Sequence, residues 1–156
     1  LAAQAGTRRR IEALRLGRVP VYGDTKVHAE WGVDIEGAAA EMAVAKSFNL
    51  FWTPVVREPK ELDGDVGFGL QALQVRSTPR DNGRLILHDR DADDAVFVLV
   101  TGRLPEFHIR GWTTGREGKQ ARFQHPGDGR PAYFVPQESL HQGEPPVVRC
   151  RGDQAS

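Results

Sequence analysis

Glu41, Asp65 and the triplet Gln74-Val75-Arg76 are the residues of this chain whose types and order could do chemistry. Magnesium takes a few hard oxygen ligands and keeps several waters. Glu41, Asp65, the Gln74 amide oxygen and the Val75 carbonyl supply such oxygens, and Arg76 would then stabilise charge on a phosphate. Side chains alternate along an extended strand, so in "LQALQVRST" Leu70, Ala72, Gln74 and Arg76 share one face. Gln71, Leu73 and Val75 share the other. Gly67 and Gly69 favour a turn that folds Asp65 back beside this strand. The competing reading is a surface hairpin with a solvated polar face.

Glu41 needs an element that carries it to that strand. "DIEGAAAEMAVAKSFNL" predicts a helix, alanine-rich and with Asp34 placed to cap its start. With residues set about 100° apart and Gly37 as zero, Ala38, Val44, Ala45 and Phe48 fall in one stripe. Glu41 falls in its middle; Lys46 and Ala39 lie on the far side. An ionised carboxylate in an apolar stripe is costly unless something pairs with it or coordinates it. A metal ion, an arginine or a lysine would serve, as would a rim position that reaches water. The small residues from Gly37 to Ala45 predict close packing against a sheet. Trp31 and Trp52 flank the helix and are expected to anchor its ends in the core.

The other elements follow from pattern. "RRRIEALRLG" predicts a short helix ended by Gly17, with Ile11, Leu14 and Leu16 expected to face inward. "FWTPVVRE" and "ELDGDVGFG" read as extended, and "PRDNG" as a turn into the strand "RLILH". "AVFVLVTG" has a buried-strand pattern, "EFHIRGW" alternates, a Gly- and Arg-rich loop runs from Thr113 to Gly129, and "AYFVP" is a last short strand. Helices in front of strands predict an α/β (α+β) fold, a mixed central sheet flanked by helices. Residues 1–141 are expected to form one domain, and 142–156 a weakly ordered tail.

Composition bounds the rest. A chain of 156 residues, 39% hydrophobic and 27% charged, reads as globular rather than disordered. No run approaches the roughly 18 apolar residues of a membrane span. The opening "LAAQAGTRRRIEALRLGRV" has arginines but no apolar core of a secretory signal, and Leu1 is an unusual first residue, as if the natural start had been trimmed. Cys150 is the only cysteine, which removes an internal disulfide or a multi-cysteine zinc site and fits a reducing, cytoplasmic setting.

Basic and acidic residues balance at 21 each, so net charge does not argue for nucleic acid. Lys26, Lys46, Lys60 and Lys119 are the only lysines, and arginine makes up the rest. Arginine is the better fork for phosphate, although a GC-rich genome produces the same excess. "GWTTGREGKQARFQ" sets Arg116, Lys119 and Arg122 among Trp112 and Phe123, a composition that tracks a nucleic-acid backbone and stacks bases, or is only a solvated connector. "DRDADD" begins like a calcium loop but lacks the turn glycine, and Val100 stands where a bidentate glutamate belongs, so it reads as a solvated acidic turn. His28, His88, His108, His125 and His141 show no zinc spacing, and phosphate-loop, nucleophile-elbow and dinucleotide fingerprints are missing from the sequence.

A small-residue helix with a glutamate, then an aspartate, then a strand ending in acid-or-Gln, any residue and a basic residue resembles the PD-(D/E)xK restriction-endonuclease-like nucleases. Here these positions read Glu41 in "GAAAEMAVAK", Asp65 in "DGDVG", and "QVR" at Gln74 to Arg76. The strand "FVLV" and the closing "YFVPQESL" are similar to small phage and bacterial members, and the resemblance covers about residues 30 to 140.

It implies hydrolysis of DNA phosphodiester bonds with magnesium or manganese. Glu41 and Asp65 would bind metal, Gln74 would complete the shell, and the metal would activate water. Arg76 would clamp the phosphate, with Arg80, Arg116, Lys119 and Arg122 as further DNA contacts. Gln74 stands where the family has an acid, removing one negative charge. Arg76 stands for the usual lysine and stays protonated, so it holds phosphate rather than taking a proton from water. These departures favour a catalytically silent DNA-binding relative; a structural or regulatory phage-type protein is a third reading. Many enzymes of this kind cut as dimers, which makes a homodimer a candidate assembly.

Overall fold

A computed structural model describes residues 1–15, 27–52, 73–125 and 131–146. Two helices lead: α1, Ala2–Arg15, and α2, Val27–Ser47. Strands follow as β1 Leu73–Thr78, β2 Leu85–His88, β3 Val96–Arg103 and β4 Glu106–Thr114. After the short helix α3, Gly115–Gly118, come β5 Gln124–His125 and β6 Ala132–Val135. The content is α+β.

Helix α2 starts upstream of Asp34, which therefore lies inside the helix and does not cap it. Ala29 and Glu30 are good helix formers and no proline interrupts the run, so nothing stops the helix at Asp34. Ala39, expected on the outer side, is buried along with Ala38, Ala40, Val44 and Ala45. The reason is α1, which covers that side: a Cβ on Gly6 would stand 2.7 Å from the Ile35 Cα, so glycine lets the two helices meet closely. Lys46 is exposed, as the helical wheel requires.

The strands form two three-stranded sheets rather than one. The first, ordered β1-β3-β4, is mixed: β1 runs parallel to β3, and β3 antiparallel to β4. The second, ordered β2-β6-β5, is antiparallel. Both faces of the first sheet are covered. Leu73, Val96, Val98 and Val100 pack with Ala40, Val44 and Ala45 of α2, and Val75 and Trp52 join them. Phe97 and Leu99 pack the other way, against Leu85, Leu87, Val135 and Leu140. β2 pairs with β6 because Leu85 and Leu87 are then buried on that second face. Two-sided burial is why β3 reads as an unbroken apolar run.

The Thr113–Gly129 stretch is more structured than a loop. β4 extends through Thr114, α3 follows with Thr114 and Glu117 in a reciprocal capping box, and a 3-10 turn at Ala121–Phe123 leads into β5. Of the expected tail, residues 142–146 are described. The Gln142 amide donates to the Arg110 carbonyl at 3.0 Å, and Pro145 is buried. Gly17, Trp31's side chain, the two stretches expected to be extended between Phe51 and Gly69, save Phe51 and Trp52, and residues 147–156 lie outside the described residues. Among the described residues no helix is long and apolar enough to cross a membrane.

Candidate nucleic-acid interface

Glu41 is buried, at 6% exposure, in the small-residue face of α2. The Trp52 indole Nε1 donates to its Oε2 at 3.1 Å, so the carboxylate is held from the far end of its own helix–turn unit. Asp65 lies outside the described residues. Gln74 and Arg76 alternate with Leu73 and Val75 on β1, and it is Leu73 and Val75 that pack toward α2. Gln74 and Arg76 therefore project from the opposite face, where they pair in register with Phe97 and Leu99. The first sheet separates Glu41 from them. Among the described residues, no group of three or more His, Cys, Asp or Glu side chains is placed to share an ion.

Arg76 instead opens onto a cavity of about 510 Å³ at the end of β1. Its guanidinium pairs with Asp91 at 3.3 Å and lies 5.5 Å from the centre of the Phe97 ring. Arg80, Arg84, Arg90 and His88 complete a basic rim, and no carboxylate lines the cavity among the described residues. Arg84, Ile86 and His88 share the outer face of β2 by alternation, because Leu85 and Leu87 face the core.

The turn carrying Arg80 is fastened at several points. The Gly83 N–H donates to the Arg80 carbonyl at 2.9 Å, as the "PRDNG" turn predicts. The Gln137 amide donates to the carbonyls of Asp81 and Gly83, each at 2.8 Å, and Arg110 pairs with Asp81. Arg80 is thus presented by a braced turn. Concentrating like charge on one rigid wall creates a local positive potential that a balanced net charge conceals.

The other expected basic groups are distributed differently. Lys119 reaches back into the 88–94 turn: its Nζ donates to the Asp91 carbonyl at 2.6 Å and pairs with the Asp93 carboxylate at 2.6 Å. The acidic turn is therefore organised around an internal ammonium. That bond and the charge beside it hold the Asp93 carboxyl below its ordinary value. Arg116 and Arg122 are exposed but do not line the cavity, and Arg122 lies over the Phe123 ring at 4.6 Å.

Sequence reasoning reached Arg76 and Arg80 but missed Arg84, Arg90, Ile86, Phe134 and Gln137. The signal was present in "RLILH", whose alternation sets Arg84, Ile86 and His88 on one face. The chain matches no family model, no curated protein and no solved structure.

Proposed function

We propose that this chain binds DNA through the arginine-rimmed cavity at the end of β1, as a catalytically silent relative of the restriction-endonuclease-like nucleases. The observation that carries the reading is the convergence of Arg76, Arg80, Arg84 and Arg90 on one cavity without a lining carboxylate among the described residues. Guanidinium groups bind phosphate oxygens through forked, charge-assisted hydrogen bonds. The separation of Glu41 from Gln74 and Arg76 favours binding over hydrolysis.

Fluorescence anisotropy on labelled DNA at several salt concentrations tests this. Affinity should fall linearly with salt on a log–log plot. Arg80→Glu with Arg84→Glu should lower affinity at least about tenfold and make the slope shallower by about 2. Unchanged binding in the double variant would remove the reading.

Metal-dependent hydrolysis is the second reading, favoured by one observation: Glu41 is a buried carboxylate on the helix where the family carries one. Supercoiled, linear and single-stranded DNA incubated with Mg²⁺ or Mn²⁺ tests it. Cleavage by the parent that Asp65→Ala and Glu41→Ala abolish, with folding intact, would establish hydrolysis over silent binding.

A further inference from the structure

The cavity has a second property that phosphate binding alone does not use. Among the arginines its lining also carries apolar side chains, Ile86, Leu99 and Phe134. Ile86 is 37% exposed, one of few large hydrophobic side chains left so open among the described residues. Phe134 stands opposite Ile86 in the β2–β6 register, on the same outer face. The His125 ring braces Phe134 at a centroid separation of 5.1 Å. Asn82 supplies an amide beside these groups.

Resting on the DNA-binding reading, we infer that the cavity takes one unpaired nucleotide of single-stranded DNA, with the base against Phe134 and Ile86 and its phosphates on the arginine rim. A duplex keeps its bases stacked on one another and offers a protein its phosphates and groove edges. It would engage the arginines and leave Ile86 and Phe134 wet. An unpaired base has a free π-face and an apolar body, and it would bury Ile86 and Phe134 while its phosphates meet the guanidinium groups. The volume agrees: small-molecule sites span roughly 300–1,000 Å³, apolar with a few placed polar groups. The Asn82 amide can donate to and accept from a base edge.

The test compares oligo-dT with a duplex of equal length by anisotropy, using the parent, Phe134→Leu and Ile86→Ser. Leucine keeps the apolar packing of β6 and removes the ring, and Ile86 is exposed, so both variants should fold; circular dichroism checks this. The parent should bind oligo-dT at least about tenfold more tightly than the duplex. Each variant should lose roughly 5- to 150-fold on oligo-dT, the range expected for one stacked base, and a much smaller factor on the duplex. Thymidine monophosphate should compete for the site at concentrations where inorganic phosphate does not. Equal affinity for both DNA forms, or folded variants that bind oligo-dT as the parent does, would overturn the nucleotide pocket and leave the phosphate cleft standing. Failure of the parent to bind either form would overturn the cleft and the pocket together.

Discussion

The Asp91 carboxylate joins two elements of the cleft at once: one oxygen meets the Arg76 guanidinium at 3.3 Å and the other accepts the His88 N–H at 2.9 Å. A single side chain at the head of the acidic turn thus ties the end of β2 to the arginine that β1 sends into the cavity. It also offsets part of the Arg76 charge. Asp91 is nearly enclosed, its side chain only 10% exposed, whereas Arg76 keeps 38% of its surface open. The cation remains available while its anchor is not.

Asp91→Asn should therefore move binding and stability in opposite directions. The amide keeps an oxygen for the His88 N–H but no longer neutralises Arg76. DNA affinity should rise about 2- to 5-fold. Loss of the charge-assisted bonds should cost about 1 kcal/mol, a Tm drop of about 2–4 °C for a chain of this size. Anisotropy and calorimetry on the same preparation check both. A fall in affinity alongside the fall in Tm would mean that Asp91 chiefly orients Arg76.

The elements around the site were more legible than the side on which its residues stand. The α2 stripe containing Glu41, the buried run of β3 and the turn at Arg80–Gly83 all follow from pattern. The face of β1 did not. Alternation sets Gln74 and Arg76 together, but it cannot say which face the helix covers when both faces of a sheet are buried. The packing partners decide it: Leu73 and Val75 are the apolar set and go to α2, while Arg76 finds Asp91 and the Phe97 ring on the far side. The role of Lys119 was hidden for a similar reason. Its partners lie in a turn 28 residues earlier in the chain, beyond any local pattern.

Trp52 and Glu41 provide a test of how the buried carboxylate is held. Trp52→Phe removes the indole donor but keeps most of the ring volume, so its cost should come mainly from the hydrogen bond. A destabilisation of about 1–3 kcal/mol is expected, typical of a donor withdrawn from a charged buried acceptor. Glu41→Gln in the Trp52→Phe background should cost less than Glu41→Gln alone. Urea unfolding of the four proteins gives the coupling directly, and additive effects would place the stabilisation of Glu41 elsewhere.

The Lys119 clamp carries a pH signature. Its side chain is only 15% exposed, so Lys119→Met should lose about 1–2 kcal/mol through the charge-assisted bond to the Asp91 carbonyl, or roughly 2–8 °C in Tm. The bond from Lys119 and its charge depress the Asp93 carboxyl below 3.8. A depressed carboxylate stabilises the fold above its unfolded pKa and loses that contribution as pH falls through the lower folded value. The Tm gap between parent and Lys119→Met should accordingly narrow below about pH 4. Glu117 titrates nearby: burial pushes it up, but the Thr114 N–H and hydroxyl and the His141 ring outweigh burial and hold it low. That contribution is common to both proteins and cancels in the difference. A gap that is constant from pH 7 to pH 3 would show that Asp93 contributes nothing to the clamp.

Gly111 should be the most sensitive single position in the described sheet. Its φ is +136°, in a backbone region that L side chains rarely adopt, opposite the register shift between Leu99 and Val100. A Cβ there would also stand 2.6 Å from the His141 carbonyl oxygen. That carbonyl accepts the Trp112 N–H at 3.0 Å, and the His141 N–H donates back to the Trp112 carbonyl at 2.8 Å. The two rings pack above this exchange with centroids 4.5 Å apart. Gly111→Ala combines backbone strain with displacement of the 140–142 segment, and should cost about 2–3 kcal/mol. Hydrogen exchange localises the damage: the Trp112 and His141 amides should lose protection, while the Val98 amide in β3 keeps most of its own. Uniform loss of protection across β3 and β4 would show instead that the segment and the first sheet unfold as one unit.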